Sequence, residues 1–229
     1  MSEPERVPLL LVGATGLIGT AVIAATARGD RVQLAALARR EVALPIGAKL
    51  EMLVADPVDW PAAIARARPE TLVIALGTTI RTVGGDRQSF RAVDHDLVVE
   101  SARATRGAGT RQVVLVSSVG ADPASRSFYL SVKGETEAAV IKLGFARLDI
   151  LRPGLLRGHR SGLARPAERI GQILSPLIDP MLHGRLAHYR SVHARDVAAA
   201  ILALAGEQGR GRHVHYSPDI HRLARHALT

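Results

Sequence analysis

Tyr129 stands four residues before Lys133, while Gly13, Gly16 and Gly19 recur at three-residue steps behind an apolar run near the N-terminus. Residues four apart share one face of a helix, so the Lys133 ammonium would lie beside the Tyr129 phenol and favour its ionised form. Such a pair can give a proton to a substrate oxygen or take one from it. Ser117 and Ser118 close a separate apolar run and would present a hydroxyl to the same oxygen. The glycines serve a different purpose. Between a strand and a helix they permit a tight turn, a close backbone approach to a pyrophosphate, and a helix start whose amides face the phosphates. Proton transfer and a dinucleotide cradle in one chain point to a nicotinamide-dependent oxidoreductase.

These residues require a particular scaffold. Val7 to Val12 is a short apolar run ending in glycine, and Leu17 to Arg28 has helical composition, so the glycines lie in a strand-turn-helix unit. Thr15, Leu17 and Ile18 fall inside this cradle. Further strands are predicted at Arg31 to Leu37, Lys49 to Val54, Thr71 to Leu76, Gln112 to Ser117, Arg147 to Leu151 and His213 to Tyr216. Helices are predicted at Asp59 to Arg68, Gln88 to Arg106, Phe128 to Leu143, Ala194 to Leu204 and Ile220 to Leu228, with Gly107 and Gly144 as stops. The alternation predicts an α/β fold: a Rossmann-like, doubly wound parallel sheet with helices on both faces, in one domain over residues 1–229. Residues 154–190, rich in glycine, arginine and proline and then broken by Pro176 and Pro180, read as a substrate flap.

The end of the second strand sets the cofactor preference. An acid there would accept from ribose hydroxyls, whereas Arg39 and Arg40 suit a 2′-phosphate, so NADP(H) is expected over NAD(H). Asp56 is placed at the adenine end, and Gly77 and Thr78 beside the middle of the cofactor.

Composition removes other chemistries. The chain of 229 residues has no cysteine, which excludes disulfides, thiolate metal sites and a thiol nucleophile. His213, His215 and His221 find no carboxylate that completes a ligand set, so no metal is expected. A net charge of +9 would suit a polyanion, but the arginines are scattered and aromatic residues make up 3%, which argues against nucleic acid. No secretory leader and no apolar run long enough to span a bilayer is visible, so the expected location is the cytoplasm, without a transmembrane segment.

Five stretches carry a more specific resemblance: Leu76-Gly77-Thr78-Thr79, Val93-Asp94-His95-Asp96, Ser117-Ser118-Val119-Gly120-Ala121-Asp122, Tyr129 through Glu137, and Arg152-Pro153-Gly154. Together they resemble the atypical, single-domain branch of the short-chain dehydrogenase/reductase superfamily, and within it the Tat-interacting-protein-like oxidoreductases. The resemblance covers nearly the whole chain. It implies NADPH binding, Tyr129 as proton donor, Lys133 on the nicotinamide ribose, Ser118 orienting the substrate oxygen with Ser117 as a possible substitute, and Pro153 and Gly154 closing on the nicotinamide. His193, Arg195 and Asp196 resemble a structural turn at a helix start. Asp94 departs from the pattern, standing where many relatives carry the asparagine of a water relay; an ionised aspartate cannot donate as an amide does. The implied substrate is small or lipid-like, with a protein partner or a homodimer as further associations. A non-catalytic NADPH-binding regulator is the alternative reading, since fold alone does not establish turnover.

Overall fold

The computed structural model describes residues 6–27, 29, 31–41, 44, 47–158 and 182–227. Its centre is a sheet of β1 (Val7–Val12), β2 (Val32–Ala38), β3 (Leu50–Val54), β4 (Thr71–Ile74), β5 (Gln112–Val116), β6 (Arg147–Arg152) and β9 (Gly211–Tyr216). The spatial order is β3-β2-β1-β4-β5-β6-β9, and every pairing is parallel. Because successive side chains in a strand alternate faces, Leu9 and Leu11 enter one core and Leu10 and Val12 the other, all at most 1% exposed. Both faces are therefore apolar, and the strands read as continuous hydrophobic runs.

The first core holds α1 (Leu17–Thr26), α6 (Ala194–Leu204) and α7 (Ser217–His226); the second holds α2 (Trp60–Ala67), α4 (Leu97–Gly107) and α5 (Phe128–Lys142). A short α3 (Arg87–Arg91) runs through a π-helical turn at Ala92–Asp96 directly into α4. The sequence predicts one uninterrupted α-helix over this stretch. The wider turn is a local departure of the kind that often marks functional sites. Gly144 is the expected left-handed stop after α5, with φ 66°, but α4 ends differently: Gly109, at φ 93°, takes the positive angle that was expected near Gly107.

The strand order reverses between β1 and β4, so the loops leaving their carboxyl ends diverge and open a crevice. Since every strand is parallel, the segments after β1, β2, β4, β5, β6 and β9 all emerge on this edge. Beside it, β7 (Leu156–Arg157) pairs with β8 (Val192–His193), next to a 3₁₀ turn at Gly184–Tyr189. These are the two ends of the expected flap; its middle, residues 159–181, lies outside the described residues. No helix among the described residues is long and apolar enough to cross a membrane.

Candidate active site

The glycine loop is built by close approach. Gly13 has φ 102°, and a Cβ there would stand 2.6 Å from the backbone carbonyl carbon of Ala75, so the loops after β1 and β4 touch. A Cβ on Gly19 would collide with the Gly13 carbonyl oxygen. Gly16 donates its amide to that oxygen at 3.0 Å and then caps α1 with no side chain over the helix end. The first turn of α1 contains no acidic residue. Its N-terminus therefore presents amides and partial positive charge without a competing group, which suits a phosphate. Thr15 is exposed on the loop, Leu17 is half-buried and Ile18 packs into the core. Arg39 and Arg40 are exposed where β2 ends, and neither forms an ion pair among the described residues. Asp56 is exposed as well, its carbonyl closing the turn that leads into α2.

Tyr129 lies in the first turn of α5, 40% exposed, its ring edge-on to Phe90 with centroids 5.9 Å apart. Lys133, one turn on, is 6% exposed. Its Nζ reaches Asp94 Oδ1 at 2.8 Å, and Asp94 is wholly buried in the π turn. The Thr78 amide donates to Asp94 Oδ2 at 2.7 Å. Gly77 lies alongside: a Cβ there would stand 3.7 Å from Asp94 Oδ1 and 3.9 Å from Lys133 Nζ. The Lys133 ammonium is thus the ion-pair partner of this buried oxygen.

The two serines separate. Ser117 is buried and donates to Glu137 Oε1 at 2.5 Å. Glu137 also accepts from Arg152 Nε at 3.0 Å and Nη2 at 2.5 Å, a two-pronged ion pair. Hydrogen bonding to Glu137, against the opposing effect of burial, pushes the Arg152 guanidinium further above its already high value, so it stays charged. Arg152 Nη1 donates to the Tyr216 hydroxyl at 3.2 Å, and Tyr216 stacks on His188 at 4.0 Å. Ser118 makes only a long 3.3 Å contact to the Val119 carbonyl and is half-buried. The hydroxyl with freedom to meet a ligand is thus Ser118.

Pro153 and Gly154 lie on the same edge with much of their backbone engaged. The Pro153 carbonyl accepts from the Val119 amide at 3.0 Å, the Gly154 amide donates to Ser217 Oγ at 3.0 Å, and a Cβ on Gly154 would collide with the backbone of Tyr189 and Arg190. Sequence reasoning missed Gly134 and Glu137 as individual contributors. A Cβ on Gly134 would strike the backbone of Asp122 and Pro123, so this glycine lets the loop after β5 lie against α5 beside Lys133. A glycine and an acid on the inward face of a helix were the available signals.

The histidines do not converge. His215 binds Asp149 Oδ1 at 2.9 Å, His213 meets the Arg210 carbonyl, and His221 meets the Ser191 carbonyl from α7. No group of metal-ligating side chains occurs among the described residues. A cavity of about 430 Å³ opens at the opposite end of the sheet, lined in part by Arg6, Lys49 and Arg68; none of the tyrosine, lysine, serine or loop-glycine set lines it.

Comparison with known proteins places this geometry. No family model matches the chain. The protein fmp52, mitochondrial, of Aspergillus fumigatus is 39% identical over 165 residues, covering 69% of this chain and 70% of the relative. Its namesake from Aspergillus niger is 34% identical over 225 residues, covering 92% and 95%. The chain belongs to the Fmp52 family. The names of these Fmp52 relatives correct the cytoplasmic expectation, for they are mitochondrial. The expected absence of a secretory leader or spanning run would not by itself distinguish cytosol from mitochondrion, so that expectation had no physical basis for its choice. Among solved structures, the UDP-glucose 4-epimerase of Thermus thermophilus in complex with NAD superposes with a TM-score of 0.66 at 16% identity, covering 96% of this chain and 82% of the epimerase. That likeness is one of fold: the Fmp52-family chain shares the Rossmann-like architecture of the epimerase, as its motifs led us to expect. The narrower likeness to the Tat-interacting-protein group rests on the motifs alone.

Proposed function

We propose that the protein is an NADP(H)-dependent oxidoreductase that interconverts a carbonyl and an alcohol on a small or lipid-like substrate. The observation that carries this reading is the placement of Tyr129 and Lys133 on the same sheet edge as the uncapped N-terminus of α1. The cradle fits a dinucleotide: Gly13 and Gly19 leave no room for side chains, and the start of α1 has no acid to repel phosphate. Arg39 and Arg40 favour the 2′-phosphate of NADP(H), as exposed guanidiniums at the end of β2. A nicotinamide bound here would supply or accept the hydride. Tyr129 would exchange the proton with the substrate oxygen, Ser118 would donate a hydrogen bond to that oxygen, and Lys133 would set the charge beside the phenol. The mitochondrial names of the relatives support that organelle as the location of the activity.

Paired calorimetric titrations with NADPH and NADH at fixed ionic strength test the cofactor. Tighter NADPH binding is expected. A panel of aldehydes and ketones with NADPH, run on the wild type and Tyr129→Phe, tests the chemistry. Failure of folded protein to bind either nucleotide overturns the proposal, whereas NADPH binding without turnover favours the regulatory alternative.

A further inference from the structure

We propose that Asp94 is the positioning residue for Lys133: its carboxylate holds the ammonium while accepting from Thr78, tying the lysine of the proton-transfer pair to the loop that follows β4. The catalytic meaning of this inference rests on the oxidoreductase reading; the ion pair itself does not.

Two carboxylates are placed to compensate a cation at Lys133. Glu137, one turn further on the same face of α5, is committed to Arg152 and Ser117. Asp94, in the π turn packed against α5, is the remaining one, wholly buried and 2.8 Å from Nζ. The other charged groups around the pair are already engaged. His95 and Asp96 bind each other, and Glu135 binds Arg91 and Ser131. Tyr129 is the remaining titratable neighbour on α5. Among the described residues, Asp94 is thus the only ion-pair partner of Lys133. Its own backbone is fixed too, since Thr136 on α5 donates to the Asp94 carbonyl at 2.9 Å. The π turn, α5 and the Gly77–Thr78 loop therefore meet at one carboxyl group.

The charge is the distinctive part. An asparagine at this position would be nearly isosteric and could still accept from Thr78, but it would leave a nearly buried ammonium without a counter-charge. A buried cation stripped of its partner loses its proton more easily. A carboxylate supplies that counter-charge at 2.8 Å.

The chain has three lysines, Lys49, Lys133 and Lys142, and the first and last are exposed. Lysine labelled with ¹³C at Cε therefore gives a directly assignable NMR titration of the wild type, Asp94→Asn and Lys133→Met, the last identifying the Lys133 signal. In Asp94→Asn the Lys133 signal is expected to titrate at lower pH than in the wild type, while Lys49 and Lys142 stay in place. With a carbonyl substrate from the panel, kcat is expected to fall roughly 10- to 100-fold, and the loss of turnover at alkaline pH moves downward with the lysine. An unchanged Lys133 titration overturns the proposal. If Asp94→Asn does not fold, the double variant Asp94→Asn/Lys133→Met decides: recovery of a folded protein shows that the uncompensated ammonium was the cause, and continued failure overturns the proposal, because removing the cation then does not relieve the loss of the carboxylate. Absence of turnover in the wild type overturns the oxidoreductase reading and leaves the lysine titration to decide the ion pair.

Discussion

Tyr129 and Ser118 are proposed for chemistry because of what their hydroxyls do not touch, while Ser117 is spent on structure. Ser117 is locked to Glu137, whereas Ser118 has only a weak contact and Tyr129 is 40% exposed. Replacing Tyr129 with phenylalanine keeps the ring against Phe90 and removes only the hydroxyl. Turnover is expected to fall by about 10²-fold or more with NADPH affinity unchanged, the range for loss of a general acid; equal kcat in both proteins would remove Tyr129 from the chemistry. The guanidiniums of Arg39 and Arg40 are expected to discriminate between the cofactors. In Arg39→Gln/Arg40→Gln, calorimetry should show NADPH binding weakened by about tenfold or more and NADH binding nearly unaltered, because each charge-assisted phosphate contact contributes about 1.5 kcal/mol or more. Similar losses for both nucleotides would mean that the arginines act by general attraction only.

At the scale of elements, the sheet edge is fastened to α5 by an ion pair and a hydrogen bond from strand ends. Arg152 from β6 and Ser117 after β5 converge on Glu137, whose side chain is 5% exposed. Arg152→Met would strand that carboxylate in the interior, and urea unfolding should show a loss of about 3 kcal/mol. The companion Arg152→Met/Glu137→Leu should recover part of it, since an apolar pair carries no desolvation cost. No loss in the single variant would show that the pair is energetically neutral. These ties could be seen only in part from the sequence. Helical spacing alone puts Lys133 and Glu137 on one face of α5. Their different partners, Asp94 and Arg152, arrive on separate elements, and no local pattern announces which acid meets which base.

Across the whole molecule, the far end of the sheet holds a second buried charge cluster that sets the response to acid. Asp149, fully buried in β6, binds Arg147, His215 and Gln112. Burial pushes its carboxyl up, but hydrogen bonds from His215, Arg147 and Gln112 together outweigh burial and hold it below its ordinary value. A depressed carboxyl contributes stability that is complete above the unfolded value, about pH 4, and is lost as pH falls through the folded one. The Tm of wild type should therefore exceed that of Asp149→Asn at pH 7, and the gap should narrow below about pH 4; a constant gap would place the effect in packing. Burial also holds His193 below its ordinary value, so it adds a loss of the same sign as pH drops below about 6.5. The amino-acid sequence by itself determined the parallel Rossmann sheet, the glycine loop and the shared helical face of Tyr129 and Lys133. All three follow from short-range periodicities imposed by the backbone: two residues in a strand, about 3.6 in a helix, and small residues where chains must touch. Only the tertiary structure decided that Asp94 serves Lys133, that Ser117 is consumed while Ser118 is not, and that the histidines scatter among different partners. Buried charges pair with whatever the packing of distant segments brings within about 3 Å, because leaving them unmatched costs more than any local preference can supply.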